Sequence, residues 1–138
     1  MKAFNQAGQE SMYSAEISLN IPVRDDGGTD SDSPTMWIKS FGYDTGWKSQ
    51  DKYPRMMADV NEDGMADIVG FGYAGVYVAL SNGDGFDMPT KWIKSFAYGA
   101  GSWQSQDKFP RMMADVNGDG MSDIVGFGTA GAYVALPN

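Results

Sequence analysis

The chain reads as all-β, assembled from propeller-type blades, on three observations. The segment Trp37–Leu80 returns as Trp92–Leu136, with 35 of 44 aligned residues identical and one residue inserted at Ser102. The copies recur every 55 residues or so, about the length of one four-stranded blade and short for a free-standing domain. Inside each copy, glycine-rich punctuation separates short apolar runs that are partly β-branched, which favours strands over helices.

The pattern divides the 138 residues into an N-terminal arm and linker (1–34), a first repeat (35–89) and a second repeat (90–138). In the arm, Ile17, Leu19, Ile21 and Val23 alternate with polar residues and Pro22, the two-residue period of a half-buried strand at a sheet edge. Residues 24–33 are rich in Asp, Gly and Ser and read as a connector.

Four strands are expected in the first repeat: Arg55–Val60, Ala66–Phe71, Val76–Leu80 and Lys91–Ala97. The second repeat supplies Arg111–Val116, Ser122–Phe127 and Ala132–Leu136, and no fourth strand follows. Conversely, Trp37–Tyr43 has the sequence of a fourth strand and precedes any blade of its own. Two blades cannot close a ring, so the expectation is a homo-oligomer in which Trp37–Tyr43 of one copy pairs with the open edge beyond Leu136 of another. Three chains would give six blades, within the usual range of about four to eight.

Composition narrows the chemistry. Eighteen acidic residues against ten basic ones leave a net charge of −8, which repels a phosphate backbone, so nucleic acid is not the expected partner. With no cysteine and no histidine, the chain lacks disulfides, the usual zinc ligands and the Ser-His or Cys-His nucleophile pairs. No apolar run approaches the length of a membrane span or of a signal-peptide core, and the expectation is a soluble protein, cytoplasmic or released without a signal peptide.

Each repeat carries an acidic loop. Asp59, Asn61, Asp63 and Asp67 surround Gly64, and Asp115, Asn117, Asp119 and Asp123 surround Gly120. Oxygen ligands at alternate positions of a tight turn, a glycine at the bend and a later carboxylate begin a calcium loop. The Glu that would complete an EF-hand is replaced by Gly70 and Gly126, and the flanks are strand-like. The same residues also serve as turn formers that accept their own backbone N–H groups, and both readings stand. No cofactor is required, calcium being the one candidate.

Gly46-Trp47 and Ser102-Trp103, a short polar run, Pro54-Arg55 and Pro110-Arg111, then D-x-N-x-D-G-x-x-D-I-V-G-F-G-x-x-G-x-Y-V form one extended pattern. It resembles the blade of lectins related to Psathyrella velutina lectin, and more widely the propeller repeats of FG-GAP or VCBS type. The resemblance covers Gly46–Leu80 and Ser102–Leu136 and leaves out the arm. It implies monosaccharide recognition, of N-acetylglucosamine or fucose type, in pockets between adjacent blades. Trp47 and Trp103 would then be aromatic platforms and Arg55 and Arg111 charged donors, with Tyr73, Ala74, Thr129 and Ala130 lining the facing blade. Several blades of the family place a His before Pro-Arg; Tyr53 and Phe109 stand there in this chain.

The physics of such a site is general. A pyranose lays its C–H face on an aromatic ring while its hydroxyls need fixed donors and acceptors around the rim. Gln50, Asp51 and Lys52, with Gln106, Asp107 and Lys108, offer that rim. Trp47 and Trp103 sit in polar, glycine-flanked loops and are expected to be exposed. Trp37 and Trp92 open apolar strands and are expected in the core, with Met56, Met57, Met112 and Met113 filling space between sheets. The functional expectation is a multivalent, non-enzymatic carbohydrate-binding protein. The alternative is a calcium-binding structural or adhesion module, or a propeller fragment without sugar binding. A catalytic site is not expected, because the carboxylates repeat in both blades whereas a single active site breaks such symmetry.

Overall fold

A computed structural model of the chain describes residues 33–137, together with strand backbone at β1 (Phe4–Gln6) and β2 (Gly8–Gln9). The expected arm strand Ile17–Val23 and most of the connector after it lie outside the described residues. β1 and β2 pair antiparallel within a first compact unit, Met1–Thr35.

The second unit, Met36–Asn138, holds two antiparallel sheets. The first has four strands in sequence order: β3 (Arg55–Ala58), β4 (Asp67–Phe71), β5 (Val76–Ala79) and β6 (Thr90–Ile93). The second has three: β7 (Arg111–Ala114), β8 (Asp123–Phe127) and β9 (Ala132–Ala135). Registers repeat between them. Arg55 faces Gly70 and Ala58 faces Asp67, as Arg111 faces Gly126 and Ala114 faces Asp123. A meander of short strands with apolar alternate positions and tight turns is one propeller blade, and the fold is all-β with two of them.

Most strands lie within a residue or two of their expected bounds, and the differences have local causes. β3 stops at Ala58 because the Val60 N–H turns to the Asp67 carboxylate at 2.9 Å and leaves the ladder. β6 ends at Ile93, short of the expected Ala97, because Phe96 has φ of 59°, which no strand tolerates. The expected strand Trp37–Tyr43 is corrected on the same ground. Phe41 has φ of 68°, Tyr43–Thr45 form a 3₁₀ turn, and among the described residues nothing pairs with residues 34–38.

The two blades pack face to face. Val60, Val69, Phe71, Val76 and Val78 of the first join Phe96, Trp103 and Ile124 in one core. Backbone bonds stitch the blades: Ser122 N–H donates to Asp59 C=O at 2.8 Å, Gln106 N–H to Asp51 C=O at 2.7 Å, and Gly99 N–H to Tyr73 C=O at 2.8 Å. An apolar cavity of about 430 Å³ stays between the sheets, walled by Val69, Val78, Trp92, Met113 and Leu136 among others.

The tryptophan expectations reverse. Trp103 is only 7% exposed and Trp47 is half-buried, whereas Trp37 is 45% exposed and Trp92 also faces solvent. The cause is glycine within the second strand of each blade. Gly70 and Gly126 have no side chain, and the indoles of Trp47 and Trp103 occupy the space where a Cβ would project. Met56 and Met113 pack against the core as expected, while Met57 and Met112 are exposed.

Candidate functional site

Each blade presents a concave pocket beside its loop Trp, half-buried Trp47 in the first and buried Trp103 in the second. The first, of about 360 Å³, is lined by Ser40, Phe41, Thr45, Trp47, Tyr53, Tyr73 and Tyr77, with neighbouring glycines and Pro89. The second, of about 630 Å³, is lined at matching positions by Ser95, Phe96, Trp103, Phe109, Thr129 and Tyr133, with Ala130 and flanking residues. Both volumes suit a small ligand.

The floors are assembled by aromatic contact. In the first pocket Trp47 lies 5.1 Å from Phe41 and meets Tyr53 and Tyr77 edge-on at 6.2 and 6.5 Å between ring centroids. In the second, Trp103 stands in the same relation to Phe96, Phe109 and Tyr133 at 5.2, 6.1 and 6.2 Å. Phe41 and Phe96 reach the indoles only through left-handed backbone, a costly conformation for a bulky residue and one that the surrounding structure must hold. Their carbonyls are the anchor. Arg55 Nη1 donates to Phe41 C=O at 2.8 Å and Arg111 Nη1 to Phe96 C=O at 3.1 Å.

Of the residues expected to touch a ligand, Trp47, Tyr53 and Tyr73 converge on the first pocket, and Trp103, Thr129 and Ala130 on the second. Ala74 does not line the first. Arg55 and Arg111 lie behind the pockets. Arg111 is fully buried with its guanidinium 5.5 Å from the Phe71 ring centroid, and burial pulls its pKa well down, to about 10, against the opposing charge of Asp51. Its Nε and Nη2 have no hydrogen-bond partner among the described residues, so the aromatic face is its main compensation.

The expected rim is engaged in structure. Gln50 clasps Arg55 through both backbone groups, its Nε2 donating to Arg55 C=O at 2.8 Å and its Oε1 accepting the Arg55 N–H at 3.1 Å. Gln106 does the same at Arg111. The Asp51 carboxylate accepts the Asp107 N–H at 3.0 Å and holds the next blade. Lys52 Nζ lies 4.8 Å from the Tyr98 ring centroid and Lys108 Nζ 5.5 Å from that of Phe109. The sequence reading missed Ser40, Phe41 and Tyr77 with their counterparts Ser95, Phe96 and Tyr133. The Ser-Phe pair after each Trp-Ile-Lys was a visible signal, masked by the assumption that it continued a strand.

The acidic loops lie apart from these pockets. Asp59 accepts N–H groups from Asn61, Glu62 and Asp63 on Oδ1 and from Gly64 on Oδ2. Loss of hydration pulls its carboxyl upward, but the N–H donors of Gly64, Asn61, Asp63 and Glu62 prevail and hold it below 3.8. At Asp115 the Gly120 N–H is the largest influence, and with Gly118, Asp119 and Asn117 it outweighs the upward pull of dehydration and lowers the carboxyl likewise. Asp59, Asp63 and Asp67 bring ligand oxygens within 4.8 Å of one another, the one such acidic trio among the described residues.

The FG-GAP-like repeat family matches residues 59–126, from the first acidic loop to near the end of β8. A solved lectin from Agrocybe aegerita, described for specific recognition of non-reducing terminal N-acetylglucosamine, is 42% identical with a TM-score of 0.71 over 75% of this chain. The chain carries an FG-GAP-like repeat in a β-propeller fold. This propeller chain spans about a quarter of that lectin, 26% of its length. No curated protein sequence matches it. Among the described residues no helix is long and apolar enough to cross a membrane.

Proposed function

We propose that this propeller chain is a carbohydrate-binding lectin, recognising monosaccharide termini of N-acetylglucosamine or fucose type at the pockets beside Trp47 and Trp103, without catalysis. One observation carries the reading: the same aromatic-floored pocket recurs in both blades of a chain 42% identical to a lectin described for N-acetylglucosamine recognition. Tyr53 and Tyr73 carry hydroxyls at the first pocket, and their rings offer the apolar face that a pyranose needs. At the second, Phe109 and Thr129 replace them, so the two sites differ in polarity and the first is the stronger candidate for a sugar. The Asp51 carboxylate is engaged by the Asp107 N–H at 3.0 Å.

Calorimetric titration with N-acetylglucosamine and with fucose, on wild type and on Tyr73→Ala, tests it. Binding that weakens about tenfold or more in the variant supports the reading, since removing an aromatic contact face costs upwards of 1.4 kcal/mol. Folded protein that binds neither sugar, nor any ligand on a glycan array, overturns it.

A second reading rests on the trio Asp59, Asp63 and Asp67, whose carboxylates and tight turn suit a calcium ion. Calcium there would brace the turn between β3 and β4, and a melting temperature unmoved by calcium or chelator would leave the loop to its backbone hydrogen bonds.

A further inference from the structure

The two blades have the same sequence pattern and opposite surroundings. Three trailing-face side chains of the first blade are buried, and their counterparts in the second blade are bare. Phe71 is 0% exposed and Phe127 43%; Val78 is 2% and Val134 49%; Val60 is 2% and Val116 52%. Leu136, 52% exposed, completes an apolar patch on that face. The leading faces show the converse. Arg111 and Met113 pack on the first blade, whereas Met57 is exposed and Arg55 is only partly covered. An apolar patch of this kind on a soluble domain marks an interaction site, and the chain itself displays the surface that fits it.

We propose that a second copy of the chain docks head-to-tail on the trailing face of the second blade, its Met36–Ile38 pairing with β9 as the fourth strand of that blade. The register follows from the repeat. β6 pairs with β5 through Val76 opposite Ile93 and Tyr77 opposite Lys91. The same pairing at β9 sets Ala132 opposite Ile38 of the copy and Tyr133 opposite its Met36. Arg55 of the copy then covers Phe127 as Arg111 covers Phe71, and Met57 covers Val134 and Val116. Tyr43, exposed in the single chain, takes the place of Tyr98, whose N–H donates to Gly72 C=O and whose ring stacks on Tyr73 at 5.9 Å.

The bonds that join the blades within one chain use backbone atoms that every copy supplies again. Asp59 C=O accepts from Ser122, and Asp115 C=O is free to accept from Ala66 of the copy. Asp51 C=O accepts from Gln106, and Asp107 C=O can accept from Gln50 of the copy. None of the donors is proline. The second pocket is incomplete without the copy, because Thr129 lacks the brace that Tyr98 gives Tyr73. A head-to-tail contact closes into a ring when the rotation allows, and three copies make six blades.

The test needs no sugar, so its failure is separate from failure of the lectin reading. Native mass spectrometry of the full chain is expected to give three times the chain mass. Phe127→Asp and Met57→Asp should each leave a folded monomer, and their equimolar mixture should give a two-chain species, because one intact trailing face meets one intact leading face. Where either variant fails to fold, Met36→Cys and Tyr133→Cys are made singly in the cysteine-free chain and mixed under mild oxidation, and a disulfide-linked dimer is expected. A wild type that melts cooperatively as a monomer at tens of micromolar overturns the proposal. So does a Met36→Cys/Tyr133→Cys double variant whose disulfide forms within one chain, which would mean that its own N-terminal residues cover the patch.

Discussion

Trp47 Cη2 lies 2.6 Å from the point where a Cβ on Gly70 would stand, and in the second blade Trp103 Cη2 lies 2.9 Å from the same point on Gly126. Phe41 and Phe96 crowd those points from the other side at 2.8 Å. The glycine in the middle of D-I-V-G-F-G is therefore what lets the indole sink against the sheet and floor the pocket. Gly126→Ala forces the Trp103 and Phe96 rings apart and is expected to cost about 1–3 kcal/mol, the usual penalty of overpacking. A thermal melt followed by near-ultraviolet circular dichroism checks this, and ligand binding at the second pocket should fall with it.

The blade was legible because it is written twice. Val76, Val78 and Leu80 alternate with Tyr77 and Ala79, and the structure places strands at those positions to within a residue or two. What was not legible turns on backbone conformations that composition does not announce. Phe41 and Phe96 read as strand residues and instead sit at positive φ, which ends β6 early and turns their rings onto the tryptophans. For the same reason Trp47 and Trp103 looked exposed: the partner that buries each is a glycine more than twenty residues away, and its role appears only when the sheet forms. Gln50 and Gln106 looked like ligand rims because nothing local shows that an amide will clasp a backbone five residues on.

Glu62 and Gly118 occupy the same place in the two acidic loops, and both have positive φ, 63° and 78°. An L-residue pays about 1–2 kcal/mol for left-handed backbone, which glycine does not. Glu62→Gly relieves that strain and makes the first loop copy the second, at the expense of a more flexible unfolded chain. The expected net is a gain of roughly 0.5–1 kcal/mol, read as a higher urea midpoint with an unchanged slope.

Asp67 and Asp123 are both fully buried at the start of their strands, but only one is satisfied. Asp67 Oδ2 accepts the Val60 N–H and Oδ1 the Ser81 N–H at 2.8 Å. Asp123 Oδ2 accepts the Val116 N–H at 2.8 Å, while Oδ1 has no partner among the described residues. The residue matching Ser81 is Pro137, which has no N–H to give. Pro137→Ser restores the donor. A hydrogen bond to a buried carboxylate contributes about 1.5–3 kcal/mol and the lost proline rigidity subtracts about 0.4–1, so a net stabilisation near 1 kcal/mol is expected in denaturant unfolding.

The acidic turns also set the response to acid. Asp59 and Asp115 have carboxyls held below their usual 3.8 by backbone N–H groups that only the folded turn collects. A carboxyl depressed in the folded state binds its proton less readily there than in the unfolded chain, so the stability it contributes is fully present above 3.8 and is lost as pH falls through the lower folded value. Melting temperature should therefore be flat with respect to these two groups from neutral pH down to about 5 and drop below 4. Asp115→Asn keeps the shape of the side chain but removes the charge that those N–H groups favour. It is expected to lower the melting temperature at neutral pH and to flatten the acid limb, so that variant and wild type converge near pH 3. Parallel curves at every pH would assign the acid loss to other carboxylates.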